Sequence, residues 1–179
     1  LDEVCEMPLE MQVKLLRVLQ EQELERVGGV STIKIDVRII TATNKDLEVE
    51  VKAGKFREDL FYRLNVVPIH LPPLRERRED IEQLVRFFVQ QFNTKLGKSI
   101  TGLTPETLLA LRGYSWPGNI RQLENVLERM MLMSDGPILR GADLPEEIAA
   151  AAGVGPGEST DVEGQVNFKE LVKKQTQSV

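Results

Sequence analysis

Two adjacent carboxylates stand at the start of the sequence, where Asp2 and Glu3 follow the apolar Leu1. If Leu1 ends a strand, the pair lies where ligands of open α/β sheets gather. There Asp2 can hold Mg²⁺, directly or through water, and Glu3 can orient or activate an attacking water. Taken alone, two acidic residues are weak evidence for such a site, and a solvated turn is the better interpretation.

A polar residue, Asn44, follows the second candidate strand, VRIITAT at 37–43. A carboxamide at the end of a strand can position a water or contact the terminal phosphate of a nucleotide. Asparagine is also common in turns and at helix N-caps. Both interpretations stay open for this residue by itself.

Two arginines lie in the stretch GKFREDLFYRLNV, 54–66. Four apolar residues in it recur at helical spacing and predict one buried face: Phe56, Leu60, Phe61 and Leu64. Arg57 and Arg63 fall on different sides of such a helix. They could be arginine fingers, which stabilise charge on a transferring phosphoryl group. They could also form surface salt bridges of little energetic weight, for example between Asp59 and Arg63 at i, i+4.

A third arginine, Arg121, lies in the first turn of a helix predicted from Asn119 to about Met133. Asn119 and Gln122 have the spacing of a capping box. A cation in the first turn opposes the helix dipole by about 0.3–1 kcal/mol. That placement is reasonable if the arginine and the helix N-terminus bind a phosphate together. A surface arginine that extends into solvent is the alternative.

The predicted secondary structure in the first part of the chain alternates between helix and strand. These helices and strands would hold the candidate residues in place. Residues 8–24 predict a helix, and Gly28 and Gly29 predict the turn of a hairpin. Two compact apolar runs predict short strands, a buried one at 37–43 and an edge strand or strand end, VVPIHL, at 66–71. This order is typical of an α/β nucleotide-binding core.

Three further helices are predicted, from Asp80 to Leu96, from Pro105 with Thr104 as N-cap, and from Asn119. A stretch rich in Gly, Ala, Glu and Pro then indicates a flexible linker. The expected fold class is therefore α/β, a partial P-loop NTPase core of parallel sheet and helices with a helical lid behind it. The expected domains are a core at 1–72, a lid at 73–140, a linker at 141–167 and the start of a helix at 168–179.

Composition limits the classes of function. A net charge of −5 and a pI near 5.1 disfavour a protein that works mainly by binding nucleic acid. The single cysteine, Cys5, excludes an intramolecular disulfide, fits a reducing cytoplasm and is expected to be a small buried side chain. No apolar run approaches the roughly 20 residues that span a bilayer, so no membrane partner is expected.

Taken together, five motifs resemble one family: LDE, KLLRVLQEQELERVGG, VRIITATNKDL, GKFREDLFYRLNVVPIHLPPLRERREDI and YSWPGNIRQLENVLER. In this order and spacing they are similar to the AAA+ domain of NtrC-like bacterial enhancer-binding proteins, the ATP-driven activators of sigma-54 RNA polymerase. The resemblance covers about residues 1–148. It is specific because the motifs occur jointly.

The resemblance implies roles for the residues near the first strand. Asp2 and Glu3 match the end of the Walker B motif, for Mg²⁺–ATP and for activation of water. Asn44 matches the sensor I position. Gly28 and Gly29 match a hairpin that moves with the state of the nucleotide in this family.

It also implies roles for the three arginines and for partners. Arg57 and Arg63 match the finger helix that reaches the ATP site of the neighbouring subunit, and Arg121 matches sensor II of the lid. Such domains form ring hexamers that remodel sigma-54 RNA polymerase so that DNA melts. DNA itself is expected to bind through a domain outside this chain.

The sequence departs from the family pattern in what it lacks. It contains no G-x-x-x-x-G-K-[ST] phosphate loop, no GAFTGA loop and no helix-turn-helix after residue 168. Gln122 stands where the family most often has Glu. We expect an excerpt that starts inside the Walker B strand and stops before the DNA-binding domain. By itself it should neither bind ATP tightly nor hydrolyse it.

Three alternatives stand beside the leading function. Another AAA+ machine, such as a clamp loader or helicase loader, would share the Walker B, sensor and finger residues. A non-catalytic regulatory module is disfavoured because the whole set is intact: Asp2, Glu3, Asn44, Arg57, Arg63 and Arg121. A protein that only binds DNA is disfavoured by the acidic charge.

Overall fold

The structure is a computed structural model that describes residues 1–26, 28–29, 31–153 and 166–167. The chain divides into two compact units, Leu1–His70 and the residues from Leu71 onward. None of the helices in the described part of the chain has the length and hydropathy needed to cross a bilayer.

The first unit combines short helices with one hairpin. Its elements are a 3-10 turn at Val4–Glu6, α1 at Leu9–Glu21, β1 at Glu23–Glu25, β2 at Thr32–Lys34, α2 at Leu47–Lys52 and α3 at Glu58–Leu64. Val4, Phe56 and Leu60 are fully buried at its centre, and the apolar face of α1 packs against them. The predicted apolar face of the 54–66 stretch is therefore confirmed.

The predicted hairpin is also confirmed. β1 and β2 pair antiparallel with Leu24 opposite Ile33. Gly28 has φ 75°, a left-handed conformation that a side chain disfavours and that the turn requires.

The two predicted strands at 37–43 and 66–71 are wrong. Ile40 is 71% exposed and Val67 is 77% exposed, and neither run forms a regular strand. A β-branched run becomes a buried strand only where neighbouring strands and a covering layer exist. Within the described residues, 40–42 pair only with the chain start, and no backbone hydrogen bond joins 66–71 to another segment.

The second unit is mainly helical, as the fold class predicted. Its elements are a 3-10 turn at Leu74–Glu76, α4 at Asp80–Leu96, β3 at Gly102–Leu103, α5 at Pro105–Gly113, α6 at Asn119–Met133, β4 at Ile138–Leu139, a 3-10 turn at Gly141–Asp143, α7 at Glu146–Ala152 and β5 at Val166–Asn167. β3 pairs parallel with β4 and antiparallel with β5. The three predicted helices are confirmed, and Thr104 Oγ1 caps α5 by accepting from Thr107 N–H.

The second unit has one large apolar core. α4 packs on α6 and α5 packs on α7. The core includes Phe92, Leu111, Trp116, Leu123, Leu127, Met130, Leu139 and Ile148.

The predicted linker from residue 141 is wrong at its beginning. Residues 146–152 form α7, whose Ile148 is fully buried in the core. Alanine is the strongest helix former, and here one isoleucine among alanines gives the helix a face to bury. The last two residues of the predicted linker, Val166–Asn167, form β5, which pairs with β3. Residues 154–165 of the predicted linker and the predicted helix at 168–179 lie outside the described residues.

Candidate functional site

The acidic pair lies beside the segment that carries Asn44. Leu1 N donates to Ile40 O at 2.8 Å, and Ala42 N donates to Leu1 O at 2.9 Å. Two bonds that bracket one residue in this way form the pattern of a parallel ladder. Val4 N then donates to Ala42 O at 3.0 Å. The two segments therefore run side by side in the same direction.

A side-chain contact joins the same two segments just past this ladder. Thr43 Oγ1 donates to Cys5 Sγ at 3.0 Å, and the Cys5 side chain is buried, as predicted. Asp2 and Glu3 on one segment and Asn44 on the other are all exposed at this edge of the unit. The structure thus brings these three predicted residues to adjoining segments.

Glu3 has an unusual backbone conformation. Its φ of 51° and ψ of 46° are left-handed, which costs a residue with a side chain about 1–3 kcal/mol. Asp2 Oδ1 accepts from Glu3 N at 3.0 Å and supports the bend. The chain turns here into the 3-10 turn, so both carboxylates stay at the surface. Such strain concentrates at functional sites.

The α3 helix carries the two predicted finger arginines in different surroundings. Arg57 is its N-cap residue and therefore lies outside the helix. Arg57 Nε donates to Asp59 Oδ1 at 3.0 Å, and its terminal nitrogen donates to Asp59 Oδ2 at 2.6 Å. The pair is bidentate and roughly two-fifths exposed.

The possible ion pair between Asp59 and Arg63 does not form, because Asp59 pairs with Arg57. Side chains in a first turn lean back toward the helix N-terminus, so Asp59 meets Arg57 instead. Arg63 is in the last turn and donates to Leu19 O at 3.1 Å. Leu19 is near the end of α1, where backbone carbonyls lack helical partners, and Arg63 satisfies one of them.

The ion pair between Arg57 and Asp59 shifts the pKa of both side chains. The hydrogen bonds from Arg57 hold the pKa of the Asp59 carboxyl below its usual value, and the Leu60 backbone N–H adds to this. Asp59 in turn raises the pKa of the Arg57 guanidinium. Both groups are therefore charged at neutral pH.

One functional candidate, Gln12, was not predicted from the sequence. Its side chain on α1 is fully buried. Gln12 Nε2 donates to Met7 O at 2.8 Å and to Lys55 O at 3.0 Å, while its Oε1 accepts from Arg57 N at 2.9 Å. A signal did exist, because Gln12 occupies a position of the helical stripe that is otherwise filled by apolar residues: Leu15, Leu16 and Leu19.

Arg121 lies in the second unit, in the first turn of α6, and is exposed. The part of the chain that the structure describes gives it no hydrogen bond or ion pair. The predicted capping box is wrong, because Asn119 has φ 51° and its Oδ1 accepts from Leu74 N at 2.8 Å. Gly118 takes the N-cap position, and Gln122 Oε1 accepts its N–H at 3.0 Å.

Comparison with known proteins identifies the class. Residues 1–70 match the family described as "Sigma-54 interaction domain", and residues 75–160 match the family described as "AAA+ ATPase lid domain". The two matched regions define a protein of the AAA+ ATPase class. The chain therefore carries part of a sigma-54 interaction domain followed by an AAA+ lid.

Curated relatives agree over most of this chain. It is 51% identical to the regulatory protein AtoC of Escherichia coli, over 97% of this chain and 38% of AtoC. It is 52% identical to the transcriptional regulator NtrC of Klebsiella pneumoniae, over 85% of this chain and 32% of NtrC. The chain therefore spans less than two-fifths of the length of these relatives.

Solved structures of NtrX are also similar to this chain. NtrX from Brucella abortus in complex with ADP has a TM-score of 0.78 and 46% identity, over 89% of this chain and 37% of that one. NtrX in complex with ATP has a TM-score of 0.76 and 48% identity, over 82% and 35% of the respective chains.

Proposed function

We propose that this chain is the C-terminal part of the AAA+ module of a longer activator, which hydrolyses ATP and uses the energy to remodel sigma-54 RNA polymerase. The observation that carries the proposal is the parallel pairing of residues 1–4 with 40–42, which gathers Asp2, Glu3 and Asn44 at one edge. We further propose that the core extends to residue 72 and that the lid begins at 73.

The acidic pair has the chemistry to act on a nucleotide with Mg²⁺. Mg²⁺ is commonly held by one or two carboxylates together with phosphates and waters, and Asp2 is exposed with Oδ2 free of hydrogen bonds from the described residues. Asp2 therefore fits as a ligand. Glu3 would accept a proton from the attacking water, and Asn44 would orient that water toward the terminal phosphate.

Arg57 and Arg63 act in this proposal on the nucleotide of the neighbouring subunit in a ring hexamer. Both guanidinium groups are accessible, and the buried Leu60 fixes the helix that carries them. Arg57 must exchange Asp59 for a phosphate oxygen. That exchange is reasonable because a guanidinium binds carboxylate and phosphate with the same two-pronged geometry.

Arg121 acts as the nucleotide sensor of the lid. It combines a free guanidinium with the first turn of a 15-residue helix, and both favour an anion. The remaining partners of the whole protein are sigma-54 RNA polymerase and DNA, the latter through a domain outside this chain.

The experiment is ATP hydrolysis by the full-length protein that contains these residues. Arg57→Ala and Arg63→Ala should each lower the rate by about 10³-fold or more and leave the affinity for ATP within about twofold. Arg17→Ala is the matched control, because Arg17 is an exposed arginine of α1 that pairs with Glu21. Full hydrolysis by either finger variant would overturn the proposed role.

A further inference from the structure

The amide of Gln12 is a buried polar group whose hydrogen-bonding groups meet only backbone. A glutamine amide has two N–H donors and one acceptor oxygen. Both donors are used, on Met7 O and Lys55 O, and the oxygen accepts from Arg57 N. The side chain is fully buried, so water cannot replace any of these three partners.

The three backbone groups belong to two functional segments. Met7 directly follows the 3-10 turn Val4–Glu6, which the chain enters from Asp2 and Glu3. Lys55 and Arg57 lead into α3. The amide therefore ties the turn behind the acidic pair to the first residues of the arginine helix.

Within the part of the chain that the structure describes, no other hydrogen bonds connect the turn at Val4–Met7 with residues 55–57. At Arg57 the helix has not begun, so its N–H has no helical partner. The apolar contacts of Phe56 and Leu60 hold α3 against the unit, but apolar packing is not directional. The N–H groups of Lys55 and Phe56 bond to Glu50 O, which ties the segment to α2. Among the described residues, the bond from Arg57 N–H to Gln12 is the one that ties the Arg57 backbone to α1.

We propose that Gln12 is a positioning residue that sets the place of Arg57 relative to Asp2 and Glu3. This rests on the proposed function of those residues. In a ring, Asp2 and Glu3 serve the nucleotide of their own subunit and Arg57 serves the next one. Gln12 then holds two successive active sites at a constant spacing.

The test uses the full-length protein and the variant Gln12→Met, which keeps the length of the side chain and removes all three hydrogen bonds. The turnover number should fall about ten- to a hundredfold, because misplacing a catalytic group by about 1 Å costs that much. The affinity for ATP should stay within about twofold. Gln20→Ala, at an exposed glutamine of the same helix, is the matched control and should change neither quantity.

Mixed hexamers separate positioning of Arg57 from general damage. Gln12→Met subunits keep Glu3, so mixing them with Glu3→Gln subunits should restore activity, while mixing them with Arg57→Ala subunits should not. The opposite pattern would mean that Gln12 acts on its own subunit's site and would overturn the proposal. No recovery with either partner, or full activity of Gln12→Met alone, would also overturn it.

Two measurements distinguish a failure of the positioning role of Gln12 from a failure of the finger role of Arg57. If Arg57→Ala itself hydrolyses ATP normally, the finger role fails, whatever Gln12 does. Amide exchange then still tests the positioning. Exchange at the Arg57 N–H should rise about tenfold or more in Gln12→Met, and unchanged protection would refute the hydrogen-bonded link.

Discussion

Replacing Leu60 by alanine should release the arginine helix from its unit. Leu60 is fully buried, and its cluster contains only two other fully buried apolar side chains, Val4 and Phe56. Leu-to-Ala changes in cores cost about 2–5 kcal/mol, less where the site can collapse. Because most of the surrounding side chains are half-buried, we expect about 2–3 kcal/mol, or about a 30- to 150-fold change in the local opening equilibrium.

Hydrogen exchange of the full-length protein measures this local opening directly, since unfolding of a multidomain protein has no single midpoint. Protection of the amides of 58–64 should fall by that factor. The control is Tyr62→Ala on the same helix, whose side chain is 68% exposed and whose loss should cost no more than about 0.5 kcal/mol. Equal protection in the two variants would refute the assignment of Leu60 as the anchor.

Three further outcomes are expected. The Asp59 carboxyl should titrate below the ordinary value of about 3.9, because Arg57 lowers its pKa. The stability it contributes is therefore present above that ordinary value and is lost as the pH falls through the lower, folded-state pKa. NMR titration should show that Arg57→Ala returns the midpoint toward the ordinary value, and no change would contradict the pairing. Trp116→Phe removes the 2.7 Å bond from the indole N–H to Leu111 O, which leaves a buried carbonyl unpaired at a cost of about 1–3 kcal/mol. Hydrogen exchange of the full-length protein should show lower protection of the amides of α5 in this variant, and unchanged protection would refute the prediction. Calorimetry should detect no tight binding of ATP to the 179-residue chain alone, and tight binding would refute that expectation.

Helices with local signals could be predicted from the sequence. α4 begins at Asp80 and ends at Leu96 as predicted, because its apolar spacing is regular and Gly97 ends it at φ 64°. The hairpin could be predicted as well, because Gly28 and Gly29 mark its turn. These features depend on neighbouring residues in the chain.

Strands and caps that depend on distant residues were not predictable. The runs at 37–43 and 66–71 have strand composition. Within the described residues, the first pairs only through 40–42 with the chain start and the second has no backbone partner, so neither run is buried. Asn119 has the type and spacing of a cap, yet its side chain binds the distant Leu74 N–H. Sequence spacing cannot reveal such a partner.

One part of the candidate site could be predicted from the sequence and another could not. The proximity of Asp2 and Glu3 to Asn44 follows from the rule that ligands meet at the ends of parallel strands, and their catalytic roles stay a prediction. The link from Gln12 to Arg57 joins residues 45 positions apart. Only the folded structure brings them together.

In the proposed function, the two halves of each active site come from different subunits. The most direct test of this arrangement is the ATP hydrolysis rate of mixed full-length hexamers of Glu3→Gln and Arg57→Ala subunits, each inactive alone. We expect that mixing restores activity, because some interfaces then pair an intact Glu3 with an intact Arg57. Hexamers that are shown to contain both subunits and remain inactive would contradict it.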